Sequence, residues 1–336
     1  MLTLICSLGD VTLLTSHPSP LPPHSTPVML DAAFFPHIID EIFAYAPLKS
    51  LLALRVNKAW CRRAEAQLPY HVIVSSSPDH PGHYAIQRAK KTALWNWPTP
   101  ITSINPRFLA ATSVVDLRAR WLNYRTFPLL RHCPPHATFR CHHRCDLSRL
   151  CATQTPQPSC LVLFARDVYG YHSISYFSEY GLGRLETPKK LVIHLTDKGM
   201  DSRKEARKFC LGGVTSLTLI MHPNRLDSTR PLLTFQLGLL IDLAMLGYAH
   251  GAPVTIVNLN FPDFEDRHPE VGSIQTQVLD EISRLRPEFE PLCKGSTALN
   301  VRCLSMSEYR NEVGTAQFKI ETVEGPIMRP SLQAAT

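Results

Sequence analysis

The chain has 336 residues, of which 44% are hydrophobic, with 35 Lys/Arg against 28 Asp/Glu. This length allows a large core, this composition excludes global disorder, and ten irregularly spaced cysteines exclude a small disulfide-stapled scaffold. The first residues lack the positive flank of a signal peptide, so we expect an intracellular protein, in the cytoplasm or the nucleus.

The chain opens with a segment rich in Pro and Ser, and helical patterns follow it. Residues 1–30 are predicted to form a disordered arm, because successive prolines deny the backbone its helix and sheet hydrogen bonds. Three short helices are predicted over residues 31–69. The first carries an isoleucine-rich stripe and ends at Pro47, the second starts near Ser50 and is rich in leucine, and the third starts at Trp60 and ends at Pro69.

The stretch FPHIIDEIFAYAPLKSLLALRVNKAW, residues 35–60, resembles an F-box. Phe35–Pro36 stand where that family has Leu-Pro, and the segment before Val56 is one residue shorter than the family pattern. The resemblance implies a three-helix unit that docks on a Skp-type adaptor and through it on a cullin–RING ubiquitin ligase. It also implies the residues of the adaptor-binding face: Phe35, Pro36, Ile38, Ile39, Ile42, Pro47, Leu48, Leu51, Leu52 and Trp60. The alternative is that these residues pack inward as an ordinary helical cap.

Beyond residue 70 the sequence alternates between short strand patterns and helical patterns. Leu-x-Leu runs such as Leu191–Ile193–Leu195 predict strands, while Leu233–Tyr248 and the stripe from Ile274 to Leu285 predict helices. Because Gln236 and Asp242 interrupt the longest apolar stretch, we expect a buried helix there and no membrane span.

The predicted fold class is therefore α/β, or α+β for the whole chain. We expect an irregular, mainly parallel α/β body over residues 70–325, which selects a protein substrate, and a flexible tail over 326–336. The spacing of the strands leaves two architectures open. One is a degenerate leucine-rich-repeat-like arc, which we favour, and the other is an open sheet.

The positive charge lies in one segment. Residues 76–150 hold 11 Lys/Arg against 3 Asp/Glu, whereas residues 151–336 hold 19 against 20. Its Cys/His-rich part offers a candidate zinc site at Cys133, His136, Cys141 and Cys145, with thiol and imidazole ligands at irregular spacing. The basic residues and interleaved tryptophans would also suit a nucleic acid. We regard a solvated basic loop as the better interpretation of this segment, and ALWNWP within it as a turn.

Enzyme motifs are not recognisable in the sequence. Gly181-x-Gly183 lacks the third glycine of a dinucleotide site, and Lys294–Gly295–Ser296 lacks the leading glycine of a phosphate-binding loop. We therefore expect a non-catalytic adaptor without a cofactor. The alternatives are a zinc- or nucleic-acid-binding protein centred on residues 88–151, and a stand-alone scaffold whose F-box has decayed.

Overall fold

A computed structural model of the chain defines the fold. It describes residues 41–42, 60–61, 70–76, 84–88, 93–96, 106–118, 132–142, 158–164, 188–196, 214–222, 237–259, 273–290 and 300–323. The contacts within the chain divide it into two compact units, Met1–Gln67 and Leu68–Thr336. In the first unit the described residues, 41–42 and 60–61, are helical. The predicted arm, most of the predicted F-box helices and the predicted tail lie outside the described residues.

The second unit is a mixed α/β structure built on a ten-stranded sheet, which confirms the predicted α/β class and the mainly parallel sheet. Its strands are β1 (His71–Ser76), β2 (Tyr84–Arg88), β3 (Ala93–Asn96), β4 (Val114–Leu117), β5 (Thr138–Cys141), β6 (Cys160–Phe164), β7 (Lys190–Thr196), β8 (Ser216–His222), β9 (Val254–Val257) and β10 (Val301–Leu304). Its described helices are a 3₁₀ turn (Pro106–Ala111), α1 (Gly238–Ala249), α2 (Ile274–Phe289), α3 (Met306–Val313) and α4 (Thr315–Thr322).

The strand order is β10-β9-β8-β7-β6-β5-β4-β1-β2-β3. The run from β1 through β4 to β10 is parallel, and each of β5 to β10 pairs with the strand that precedes it in the chain. β2 and β3 add an antiparallel edge beside β1. Residues 93–96, predicted as a turn, thus belong to a strand, and β5 lies where a basic loop was predicted.

The two faces of the sheet differ in chemistry. One, here called the leucine face, carries buried apolar side chains in register from β1 to β9: Val72, Val74, Val115, Leu117, Phe139, Cys141, Leu161, Leu163, Leu191, Ile193, Leu195, Leu217, Leu219, Met221, Val254 and Ile256. The intervening residues form the opposite face, which we call the polar face. Because side chains alternate along a strand, one Leu-x-Leu pattern generates both faces.

Helix α1 packs on the leucine face at β8 and β9. A Cβ on Gly247 would lie 2.6 Å from Val254 Cγ2 and 3.1 Å from Leu217 Cδ2, so the helix backbone runs close to β8 and β9. Nearly every residue of α1 is buried, which follows from its apolar character all round. Helix α2 packs against α1 and buries Ile274, Val278 and Ile282, the stripe predicted from the sequence.

A second pair of helices covers the polar face. Tyr309 of α3 is buried in a cluster with Val162, Val192 and Ile220, and Phe318 of α4 packs against the same cluster. The body therefore has helices on both sides of the sheet, with α1 and α2 on the leucine face and α3 and α4 on the polar face. Over the described part of the chain, no helix has the length and apolar character needed to cross a membrane.

Asn258 follows β9 in a left-handed conformation, with a φ of 66°. Its side-chain amide donates to the backbone carbonyl of Met221, at 3.0 Å, and its backbone N–H donates to Leu304, at 2.9 Å. Asparagine is one of the few residues that tolerate this conformation. One residue thus connects β9 to the strands on either side of it.

Candidate functional site

Buried polar groups on the polar face make it the candidate site. Strands β4, β5 and β7 contribute the buried Asp116, Arg140 and His194 and the half-buried Lys190, at positions that alternate with the leucine-face residues. Charged residues are rarely buried unless they are paired. We therefore expect each of these side chains to have a polar or charged partner.

Asp116 is the centre of the first group of contacts. Its side chain is fully buried and accepts two hydrogen bonds from the equally buried Arg140, at 2.5 Å from Nε and 2.9 Å from Nη2. Arg118 donates to the same carboxylate at 3.0 Å. The Nε2 atoms of His71 and His142 lie 3.2 and 3.1 Å from its two oxygens. The acid is thus surrounded by donors from β1, from β5 and from the residues that follow β4 and β5.

These donors set the protonation state of Asp116. Burial acts to raise its pKa, but hydrogen bonds from His142, His71 and Arg140 outweigh burial and hold the pKa well below its ordinary value. Asp116 is therefore a carboxylate at neutral pH. It positions Arg140 as a charged donor.

Glu321 of α4 is the centre of the second group. Its buried carboxylate accepts from Lys190 Nζ at 2.6 Å and from Gln317 at 2.7 Å, and it also accepts from the hydroxyl of Tyr309. Burial, the charge of Glu321 and this hydrogen bond all raise the pKa of Tyr309, so the phenol stays protonated and acts as a donor. The thiol of Cys160 lies 4.0 Å from the same carboxylate, and burial raises its pKa to about 12.

A row of rings crosses the sheet near the C-terminal ends of β5 to β8. His142 stacks on Phe164 at 4.8 Å between centroids, Phe164 contacts His194 at 4.4 Å, and His194 stacks on His222 at 4.8 Å. His194 Nε2 lies 2.6 Å from the backbone carbonyl oxygen of Glu321, which can only accept, so this nitrogen carries a proton. His194 Nδ1 lies 2.5 Å from His222 Nε2, and a neutral His194 accepts there.

Chemically, the strands supply N–H donors and α4 supplies acceptors. Arg140 Nη1 donates to the carbonyls of Ile320 and Val323, at 3.3 and 2.6 Å, so the guanidinium lies at the C-terminal end of α4. Cations are favourable at that end of a helix dipole. The polar face therefore has the donors needed to bind a carboxylate and the last carbonyls of a helix.

The predicted adaptor-binding residues are described at two positions. Ile42 and Trp60 are both helical and half-buried. The other eight lie outside the described residues: Phe35, Pro36, Ile38, Ile39, Pro47, Leu48, Leu51 and Leu52.

The zinc candidates are placed in different surroundings. Cys133 is buried in the turn before β5, His136 is exposed, Cys141 ends β5 on the leucine face, and Cys145 lies outside the described residues. Burial raises the pKa of Cys133 to about 12, which favours the thiol over the thiolate that zinc requires. Within the ranges that the structure describes, no three His, Cys, Asp or Glu side chains converge as a metal site.

Sequence reasoning missed the residues of the polar face. The signal was present, since Lys190 and His194 stand at the non-leucine positions of KLVIHLT, and Asp116 and Arg140 interrupt VVDL and TFRC. Glu321 gave no comparable signal, because its partners lie far away in the sequence. The chain matches no protein-family model and no curated protein.

Proposed function

We propose that the protein is an F-box-type adaptor that recruits a protein substrate to a cullin–RING ubiquitin ligase and performs no catalysis itself. The proposal rests on the match of residues 35–60 to the F-box pattern. The two described parts of this stretch, at Ile42 and Trp60, are helical as that pattern requires. A small helical unit gains stability when it gives its apolar face to a partner.

The organisation of the chain supports an adaptor with two separate tasks. The unit Met1–Gln67 contains the F-box-like stretch, and the unit Leu68–Thr336 contains the sheet. We interpret the sheet as an irregular leucine-rich-repeat-like arc, because β4 to β10 follow one another in space in chain order and β4 to β9 share the leucine face. Such arcs bind partners along a surface assembled from successive strands.

The nucleic-acid alternative is weakened by the contacts of the basic segment. Arg140 is fully buried and paired with Asp116, and Arg118 donates to the same carboxylate. Arginines committed in this way do not reach a phosphate backbone. We therefore retain the adaptor as the single proposed function.

A pull-down of the full-length protein with a purified Skp-type adaptor tests the proposal. We expect retention of the wild-type chain and its loss in Ile42→Asp and in Leu51→Asp, because a carboxylate placed in an apolar interface is costly. Glu41→Ala is the matched control, since Glu41 is an exposed neighbour of Ile42 in the same helix. The proposal is wrong if the wild-type chain is not retained, or if the Asp variants, shown to be folded, bind as well as Glu41→Ala does.

A further inference from the structure

The last described part of the chain, residues 305–323, forms a helical hairpin that we call the C-terminal hairpin. It consists of α3, Gly314 and α4, and it packs on the polar face. Only a few of its side chains are buried, among them Tyr309, Ile320 and Glu321, and most of the others are exposed or half-buried. It is therefore an outer layer whose inner face packs on the apolar cluster of the polar face.

The hairpin carries its own local stabilisation. Ser305 and Glu308 form a reciprocal capping box at the start of α3. Gly314, with a φ of 81°, connects the helices in a conformation that favours glycine, and Tyr309 contacts Phe318 edge-on across the turn. These contacts lie within the hairpin, so they do not depend on the sheet.

The hairpin meets the sheet through an apolar cluster that includes Tyr309 and Phe318, and through charged and polar groups at the end of α4. Lys190 binds the carboxylate of Glu321, His194 donates to the backbone carbonyl of Glu321, and Arg140 donates to Ile320 and Val323. All three sheet residues thus contact the last turn of α4 and the residue after it. Buried charge pairs stabilise an interface weakly, because desolvation offsets much of their attraction, but they make it specific.

We infer that the polar face is a peptide-binding surface that recognises the C-terminal turn of a helix carrying a glutamate, and that the C-terminal hairpin is its built-in ligand. The sheet supplies one cation for the glutamate and two donors for the helix carbonyls. Asp116 holds Arg140 in place and leaves its Nη1 for the ligand. A segment with the same chemistry competes with the hairpin for this surface.

As to substrate class, the inference rests on the proposed function. If the protein is a substrate-recruiting adaptor, its substrates present a helix that ends just after a glutamate. The hairpin must leave the sheet before such a helix binds. In the resident state it therefore acts as an autoinhibitory segment.

The test uses the full-length protein with a protease recognition sequence inserted between Leu304 and Ser305. Cleavage after folding turns the hairpin into a separate peptide that is still bound. A fluorescent peptide of residues 305–323 is then added, and its anisotropy is followed. We expect it to exchange into the cleaved protein and to bind the uncleaved protein far more weakly. The same peptide with Glu321→Gln should bind about tenfold more weakly or worse, because it loses the charged contact with Lys190.

Two further measurements keep the outcome clear. Cys160 lies beside Glu321 under the hairpin. Its rate of alkylation should therefore rise when the hairpin is removed. If the inserted sequence disturbs the fold, hydrogen exchange measured on the unmodified chain takes the place of the cleavage experiment. The amides of α3 and α4 should then exchange through an opening that leaves β6 and β7 protected.

The inference is overturned if the cleaved hairpin leaves only when the sheet unfolds, or if the wild-type peptide and its Glu321→Gln variant bind equally. It is also overturned if α3 and α4 exchange only through global unfolding. The adaptor pull-down is independent of these results. A failed pull-down with successful peptide exchange removes the F-box role and leaves the binding surface, and the reverse result removes only the surface.

Discussion

Asp116 and Arg140 show how a buried charge is accommodated in this fold. Both side chains are fully buried, and the guanidinium binds both carboxylate oxygens across the neighbouring strands β4 and β5. Removing Arg140 alone leaves the buried Asp116 with Arg118 as its remaining arginine donor, and removing Asp116 alone takes the carboxylate away from the buried Arg140. The pair therefore favours the register of β4 and β5 in which the two side chains meet. Other registers are disfavoured mainly because they would separate two buried charges.

We predict that Arg140→Met lowers the free energy of unfolding by about 3–5 kcal/mol, because Asp116 stays ionised and buried without its main partner. Adding Asp116→Asn to the same chain should recover part of this loss, since it removes the buried charge that has lost its main partner. Urea-induced unfolding of the wild type, both single variants and the double variant gives the coupling energy. Additive losses would show that the two side chains do not act as a pair.

The pH dependence of the same pair follows from the depressed pKa of Asp116. A carboxyl whose pKa is lower in the folded state contributes stability above its unfolded pKa of about 4 and loses it as the pH falls towards the folded value. The stability difference between the wild type and Asp116→Asn should therefore narrow as the pH falls below about 4. A difference that stays constant down to about pH 2 would contradict the assignment.

At the scale of elements, the packing of helix α1 on the sheet depends on Gly247, although glycine is a poor helix former. Gly247 lies where α1 passes over β8 and β9, and an added Cβ would overlap the side chain of Val254 at 2.6 Å. Real Cβ atoms do not approach this closely, so either the helix or the strand must shift. The close approach brings α1 into contact with the leucine face at Leu217 and Val254.

We predict that Gly247→Ala lowers the free energy of unfolding by about 1–3 kcal/mol, although alanine is the better helix former by about 1 kcal/mol. Val254→Ala removes the atom that the new Cβ would meet. In a Val254→Ala background, Gly247→Ala should therefore cost clearly less than in the wild type, which thermal or urea unfolding would detect. An equal cost in both backgrounds would place the strain elsewhere.

The sequence predicted the elements that have strong periodicity. The leucine runs gave β6 to β9, and the apolar stretch and the Ile274 stripe gave α1 and α2, because burial on one face leaves a regular pattern. Strand β5 was missed because TFRC contains an arginine that is buried only through its pairing with Asp116. Helices α3 and α4 are short and mostly polar, and only the Ser305–Glu308 capping box marks their start.

The candidate site was harder to predict than the elements that carry it. Glu321 is separated from Lys190 by 131 residues, and Ile320 of α4 is separated from Arg140 by 180. Alternation places Lys190 and His194 opposite the leucine face, but it does not show that another element covers them. Pairing over such distances depends on the whole fold and leaves no local trace in the sequence.

At the scale of the whole molecule, the contacts of the chain divide between Gln67 and Leu68. Every described strand, both charged groups and the C-terminal hairpin lie within the second unit. The strand pairings and both charged groups therefore form among residues 68–336. Under the proposed function, adaptor binding belongs to the first unit and substrate binding to the second.

We predict that a chain of residues 68–336 folds cooperatively, with a melting temperature within a few degrees of the main transition of the full-length protein. Cys160 should resist alkylation in both chains, because it stays under the hairpin and burial raises its pKa to about 12. The shorter chain should not bind the Skp-type adaptor. Full-length Ile42→Asp should also fail to bind it, but should keep the melting transition of the wild type. A shorter chain that fails to fold would mean that the first unit is part of the core, and the two tasks could not then be assigned to separate units.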